Sequence, residues 1–511
     1  MKIFNSFKTL VNAFTNEPYQ HVLAKIWRRV KKIVNPSSIH YKIADSNLSK
    51  VFELDRSISY DSIISFITPV YNPNQAHLKE TIESVLNQTA SNWELCLHDD
   101  GSTQEIKDIL SDYDKIDARI KLSLGKQNLG IVQASNKAIQ LAEGQYIAFL
   151  DHDDCIHPDT VRLISKTLQS DNKIKLIYTN ENSININGIV ESTLDKLPFG
   201  HHTLRSANYI NHLTVINKHV GDKLGWLRED FEGAQDYDLL LRATESLQRE
   251  CIVHIPKALY HWRMTDNSIS KHVWAKKYVD ESAQKALNAH LQRLKTNLTC
   301  KAGRKSGTYQ LVSETEDEVF ILIDLKIASA KEYLQTATSL IENTSYTNFK
   351  LRKPDNWDTI HKQLRNKNHK SSFVDQKSVD LAHDDYFICV ITQALSFPQP
   401  HWLKNLAIYI KIDSKTIAAP LITYLNNKVF CDGLFYYNGE LTNLYQNLNK
   451  NSLLDYFSGI TKDVNGIYNI CYLCANTATD RRKPIVVSSQ SEVKLSISDI
   501  QKYGVIIAQQ Q

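Results

Sequence analysis

Hydrophobic and polar positions change rhythm along the chain, and the changes mark out its parts. In "HVLAKIWRRVKKIV" (21–34) the apolar residues Val22, Leu23, Ile26, Trp27, Val30, Ile33 and Val34 recur every three or four positions. That spacing predicts one apolar stripe on a helix with a basic opposite face. From Ser62 short apolar runs take turns with longer periodic stretches. "IISFITPVYN" (63–72) reads as a strand stopped by Pro69 and Pro73, and "AHLKETIESVLNQ" (76–88) as a helix through Leu78, Ile82, Val85 and Leu86. "NWELCLHDDGST" (92–103) is a second strand, closing on acids and Gly101. "EIKDILSDYDK", "IKLSL" and "GIVQASNKAIQLAE" continue as helix, strand and helix, and a further strand begins at Tyr146. Strands interleaved with such helices predict βαβ units, an α/β class with a mostly parallel sheet whose strand ends gather at one edge.

Three of those strand ends are polar: "PVYN", "HDDGS" and "DHDD". "YIAFLDHDDCIHPD" (146–159) drives an apolar run straight into Asp151, Asp153 and Asp154. Carboxylates that close repel one another and are costly to ionise near a core, so either the loop is solvated or a cation belongs there. Two acidic strand ends meeting at a ligand edge favour the cation. Hard oxygen ligands with open positions suit Mg²⁺ or Mn²⁺ bridging to a substrate diphosphate, where the ion stabilises the departing charge. No GxxxxGK[ST] and no GxGxxG follows a strand, which argues against a P-loop and a dinucleotide site.

Composition narrows the classes. The 511 residues are enough for more than one domain, and 42% hydrophobic with 23% charged residues is a globular balance. A net charge of +4 is too small at this size to imply nucleic acid. No run approaches the ~18 apolar residues of a membrane-spanning helix, and the N-terminus lacks the apolar core of a secretion signal. The eight cysteines are scattered without a framework, as in a reducing, cytoplasmic compartment. Cys471 and Cys474 form a CxxC with no second pair to complete a zinc site, and an apolar strand with two buried thiols is the plainer reading. In residues 1–35, Lys2, Lys8, Lys25, Arg28, Arg29, Lys31 and Lys32 face a single acid, Glu17. The helix there either packs on its own domain or lies on an anionic membrane surface, each basic residue contributing ~1 kcal/mol.

The succession "FITPVYN", "LHDDGST", "KQNLGIVQASNKAI" and "YIAFLDHDD" resembles the nucleotide-sugar domain of family 2 glycosyltransferases, the GT-A fold. Downstream, "EGAQDYDLLLR" (232–242) and "IPKALYHWRMTDNSIS" (255–270) resemble the subgroup that builds bacterial O-antigen and related surface polysaccharides. The resemblance covers about residues 60–295. It implies inverting transfer of a sugar from a nucleotide diphosphate to an acceptor hydroxyl, on a lipid-linked or oligosaccharide acceptor at the inner face of the inner membrane. By the same resemblance Pro69, Val70 and Tyr71 line the base and ribose. Asp100 accepts the N3–H of uracil, or equally of thymine, so UDP and dTDP donors stay open, and Asp99 supports that loop. Asp151 and Asp153 are the DxD pair, with Asp153 on the metal and Asp151 on the ribose or a metal-bound water. Asp154 is a helix-starting or supporting acid. Asp236 is the catalytic base. Gln235 stands where the family usually has Glu, a departure that keeps hydrogen bonding and removes a like charge beside Asp236. Asp238 points elsewhere, since i and i+2 diverge on a helix. His261 and Arg263 reach the diphosphate, Arg263 through its planar fork, His261 as a metal ligand unless it is a core-edge histidine. Trp262 and Trp226 either line the acceptor pocket or pack in the core.

After Ser306, "TATSLIENTSYTNFKL" (336–351) echoes "ETIESVLNQTASNWEL" (80–95), and "EVFILIDLK" parallels "IISFITPVY". "DDYFICVITQALSFPQPHWLKNL" (384–406) has the strand, turn and helix rhythm of "GQYIAFLDHDDCIHPDTVRLI". The expected organisation is a basic helical segment over 1–60, a catalytic GT-A domain over 61–300, and a degenerate GT-A-like domain over 307–511. No Asp or Glu lies between Asp385 and Asp413, so the second domain is expected to hold neither metal nor nucleotide. A coincidental α/β domain is the alternative. A non-catalytic scaffold that binds nucleotide or glycan is the alternative to the enzyme.

Overall fold

The computed structural model describes residues 62–264 without a break, and 273–364 apart from 304–305 and 314–319. Beyond Leu364 it describes short stretches, mostly strands. The basic segment expected over residues 1–60 lies outside the described residues.

The first half unfolds in chain order as β1 (Ile64–Val70), α1 (Gln75–Leu86), β2 (Trp93–Asp99), α2 (Gln104–Ile116), β3 (Ile120–Leu124), α3 (Ile131–Gln140), β4 (Tyr146–Phe149) and β5 (Cys155–Ile156). It continues with α4 (Thr160–Ser170), β6 (Leu176–Ile184), β7 (Val190–Leu194), α5 (His201–Ser206), β8 (Thr214–Asn217) and α6 (Lys218–Leu224). α7 (Gln235–Ser246), β9 (Ile252–Arg263), α8 (Val273–Arg293) and the hairpin β10 (Leu298–Ala302) and β11 (Tyr309–Ser313) complete it. One mixed sheet runs in the order β3-β2-β1-β4-β8-β6-β9-β5, with β7 on the side of β6. β1 lies between β2 and β4, parallel to both, and every residue of β2 is buried. Both faces of these strands are covered, so even their polar residues Ser65, Thr68, Glu94 and His98 are buried.

The order reverses at β1: β2 and β3 lie on one side of it, β4 on the other. A reversal opens a crevice beyond the strands' carboxyl ends, where no crossover helix can fill it. Register aligns those ends, with Val70 opposite Asp99. Local chemistry holds the loops. Asn74 caps α1, its side chain accepting from Ala76 and His77 N, which satisfies two orphan donors of the first turn. Gly101 turns with φ +80°, and a Cβ there would sit 2.7 Å from the Gln127 carbonyl carbon, so a side chain is excluded on both counts.

A second sheet repeats this order. β12 (Ile321–Leu325) is followed by α9 (Ala330–Asn343), β13 (Phe349–Arg352), α10 (Trp357–Gln363), β14 (Phe373–Val374) and β15 (Phe387–Ile391). They align as β14-β13-β12-β15, all parallel, as β3-β2-β1-β4 do. The strand Cys471–Ala475 then pairs antiparallel with β15, and Thr416–Pro420 antiparallel with it, matching β8 and β6 in both place and chain order. The correspondence ends at Val505–Gln509, antiparallel to its neighbour where β9 is parallel to β6. The CxxC thus falls on an internal strand of this sheet. The β10–β11 hairpin packs on α8 and α5 and straddles the boundary expected near residues 300–307.

Burial of histidines makes the fold acid-sensitive. Burial holds His201 and His254 down at about 3 and His261 at about 4, all far below the ordinary 6.5. The unfolded chain therefore takes up protons below pH 6.5 that the native state refuses, so stability rises with pH in that window. Denaturant unfolding from pH 7 to 4 is expected to lose roughly 1 kcal/mol per pH unit for each such histidine below about pH 6.5. A flat profile would contradict it.

Candidate active site

The crevice at the reversal is a cleft of about 1210 Å³. Pro69, Val70, Tyr71, Asp100, Asp151 and Asp153 all line it. The structure therefore gathers the ends of β1, β2 and β4 as the polar termini implied. Tyr71, just past β1, is 46% exposed and offers a free ring face.

The two acids after β2 have different work. Asp99 is buried and accepts from Gly101 N and Ser102 N, with Lys107 at 3.9 Å. It braces the turn and does not face the cleft. Asp100 borders the cleft, and its carboxylate accepts from Leu129 N (3.0 Å) and Gly130 N (2.9 Å). That bond seats the 128–130 loop and the start of α3. A carboxylate has about four lone-pair sites, so Asp100 keeps room for one more donor.

Asp151 and Asp153 are half-buried, and their carboxylates have no hydrogen-bond or ion-pair partner among the described residues. Burial pushes the Asp151 carboxyl up, the nearby Asp153 and Asp236 adding to it and His212 and His152 opposing it. Such a place is short of positive charge. Among the described residues no three His, Cys, Asp or Glu side chains converge on one point as metal ligands. The described residues thus build no closed metal cage. Two hard oxygen donors with the other positions left to phosphate and water is nevertheless the donor set of Mg²⁺ or Mn²⁺, and the residues present fit such an ion. Asp154 turns inward: it is 1% exposed and accepts from the Tyr260 hydroxyl (2.6 Å) and Arg263 N (2.7 Å).

Arg263 departs from expectation. It borders the cleft, yet it is 1% exposed and its fork is spent on the protein. Nε donates to the Asp153 carbonyl (2.8 Å), Nη1 to the Ile186 carbonyl (3.4 Å) and Nη2 to Glu80 (2.5 Å). The guanidinium clamps the acidic loop between α1 and the β6–β7 turn and has no donor pair left for a diphosphate. Arg263→Ala is expected to cost about 3 kcal/mol in urea unfolding by emptying the space of a buried side chain and releasing the acidic loop it ties. Arg263→Lys should recover little of it, because a point charge cannot span the fork.

His261 lies away from the acids. Strand alternation turns its ring away from the face that Tyr260 presents to the acids. Its Nδ1 meets Asn182 at 3.2 Å and its ring packs against His157, outside the cleft. Of the tryptophans, Trp262 lines the cleft, whereas Trp226 is buried against Phe149 and donates to Asp222.

Asp236 and Gln235 occupy the first turn of α7. Asp236 is half-buried, close enough to Asp151 to raise its pKa, and Oδ2 accepts from Asn208 Nδ2 at 2.8 Å. It is not itself a lining residue. Gln235 accepts from Gly233 N (2.8 Å) and so braces the turn that leads into the helix. Asp238 is buried between Arg228 and Arg242, a structural acid.

Sequence reasoning missed His212, Asn211, Glu181 and Glu232, which line the cleft, and Asn208, which holds Asp236. Their stretches carry no motif of strand-end acids. Glu181 comes from β6 and Glu232 from just before α7, while Asn208, Asn211 and His212 come from the segment before β8, whose His212 ring lies on Tyr260 of β9.

The model "Glycosyl transferase family 2" matches residues 65–199. The uncharacterized protein y4gI of Sinorhizobium fredii is 38% identical over 310 residues, 60% of this chain and 34% of that protein. The O-antigen biosynthesis protein RfbC of Myxococcus xanthus is 28% identical over 237 residues, 46% of this chain and 18% of that protein. The chain thus spans about a third or less of the length of these relatives. Among solved structures, S. aureus TarS 1-349 in complex with UDP-GlcNAc aligns over 45% of this chain and 73% of that chain, at TM-score 0.35 and 18% identity.

Proposed function

We propose, from the premise that residues 65–199 are a family 2 glycosyltransferase domain, that the chain moves a sugar from a UDP- or dTDP-sugar to a hydroxyl of a growing surface glycan. The observation that carries this reading is the meeting of Tyr71, Asp100, Asp151 and Asp153 in one cleft, with Asp236 close to Asp151. Tyr71 and the backbone of Pro69 and Val70 receive the nucleoside, and the free lone pair of Asp100 takes the base N3–H. Asp151 and Asp153 mark the diphosphate end and would hold Mg²⁺ or Mn²⁺, which when bound neutralises the leaving diphosphate.

Asp236, oriented by Asn208, removes the proton of the acceptor hydroxyl. The freed oxygen bonds to the anomeric carbon as the carbon–oxygen bond to the diphosphate breaks, and the nucleoside diphosphate departs with that electron pair. Attack and departure on opposite faces invert the anomeric centre. The chain is read as an N-terminal basic segment that meets an anionic membrane surface, a catalytic domain, and a second, repeated domain with no metal. The acceptor is lipid-linked or an oligosaccharide. RfbC's name is what points to O-antigen or a similar surface polymer.

A panel of UDP-, dTDP- and GDP-sugars with Mn²⁺ or Mg²⁺, read by nucleotide release, tests the proposal. Release from a UDP- or dTDP-sugar supports it. Binding without any turnover across the panel, with acceptor glycans supplied, would make the chain a scaffold.

A further inference from the structure

Resting on the donor reading above, a diphosphate at the Asp151–Asp153 end of the cleft needs N–H groups facing its oxygens. The two residues expected there are engaged elsewhere: Arg263 with protein carbonyls and Glu80, His261 outside the cleft. His212 lines the same cleft and lies near Asp151. Its ring lies flat on Tyr260, centroids 4.7 Å apart and planes 10° apart. The Tyr260 hydroxyl in turn donates to Asp154 (2.6 Å) and accepts from Asp151 N (3.2 Å). The imidazole is therefore held beside the acidic turn and lines the cleft. Neither ring nitrogen has a hydrogen-bond partner among the described residues.

The loop that carries His212 is pinned from behind. Lys196 has a fully buried side chain, and its ammonium donates to the carbonyls of Ile210 (2.7 Å) and His212 and pairs with Glu181 (3.1 Å). The two carbonyls take its hydrogen bonds, and Glu181 supplies the opposite charge. Burying an ammonium is costly unless it is fully paired, and here the pairing converges on the two carbonyls that flank the His212 backbone turn and on a cleft acid.

We propose that His212 contacts the donor, a ring N–H donating to an oxygen of its distal phosphate, and that Lys196 is the positioning residue that holds it there. The experiment titrates full-length wild type, His212→Ala, Lys196→Met and the double variant with UDP and UMP, and with dTDP and dTMP, at fixed Mg²⁺. His212→Ala is expected to weaken the diphosphate roughly tenfold or more while leaving the monophosphate unchanged. Lys196→Met, its circular dichroism native, should show the same selective loss, and the double variant should bind no worse than His212→Ala alone. A merely structural lysine would weaken both nucleotides and add to His212→Ala. Equal loss of both nucleotides in His212→Ala, or no loss, overturns the proposal. Should Lys196→Met fail to fold, the His212→Ala ratio alone decides. Wild type that binds none of the four nucleotides sinks the donor reading and this inference with it.

Discussion

Asp153→Ala is expected to abolish sugar transfer and to leave the fold intact. The carboxylate is half-buried at the cleft and has no hydrogen-bond or ion-pair partner among the described residues, so its removal strands no donor and opens no core cavity. Surface-edge truncations of that kind shift stability by roughly 0.5 kcal/mol or less. It would even relieve like-charge repulsion on Asp151. Activity should fall to background, because a divalent ion with too few ligands no longer neutralises the leaving diphosphate. Wild-type activity should vanish in EDTA and return with Mn²⁺ or Mg²⁺. Full activity of the variant, or of wild type in EDTA, would remove the metal from the mechanism.

Asp236→Asn should lower kcat by about 10²-fold or more with donor affinity retained. Asparagine has the same shape, and its carbonyl can still accept from Asn208 Nδ2, so the start of α7 should keep its geometry. What it lacks is the capacity to take a proton at the moment the acceptor oxygen attacks. Separate measurement of donor Kd and of kcat distinguishes the roles. Collapsed donor affinity with kcat little changed would make Asp236 a binding residue and place the base elsewhere.

Apolar runs determined the elements here without help from tertiary contacts. β1, β2 and β4 are buried strands because short runs rich in apolar residues end at turn signals, and α1 is a helix because Leu78, Ile82 and Val85 share one face. The same pattern brought Tyr71, Asp100, Asp151 and Asp153 together, since in a parallel sheet side chains at successive strand ends must converge. The repeat of β1-to-β4 order in β12 to β15 was legible for the same reason. Side-chain direction was not. Whether Arg263 reaches a ligand or its own protein depends on Glu80, 183 positions away in sequence, and on carbonyls of two separate loops. His261 was assigned by its place in a motif, but a strand alternates its faces, and only pairing with β5 and β6 decides which face meets the cleft. His212 and Lys196 lie in a segment with no periodic signal, and their positions follow from packing of that segment against Tyr260 and Glu181. The sequence on its own determines which strands form and which acids end them, because those are local consequences of burial and spacing. Which cations answer those acids was decided by the tertiary structure, because a long side chain pairs with whatever unpaired acceptor the fold brings within its reach.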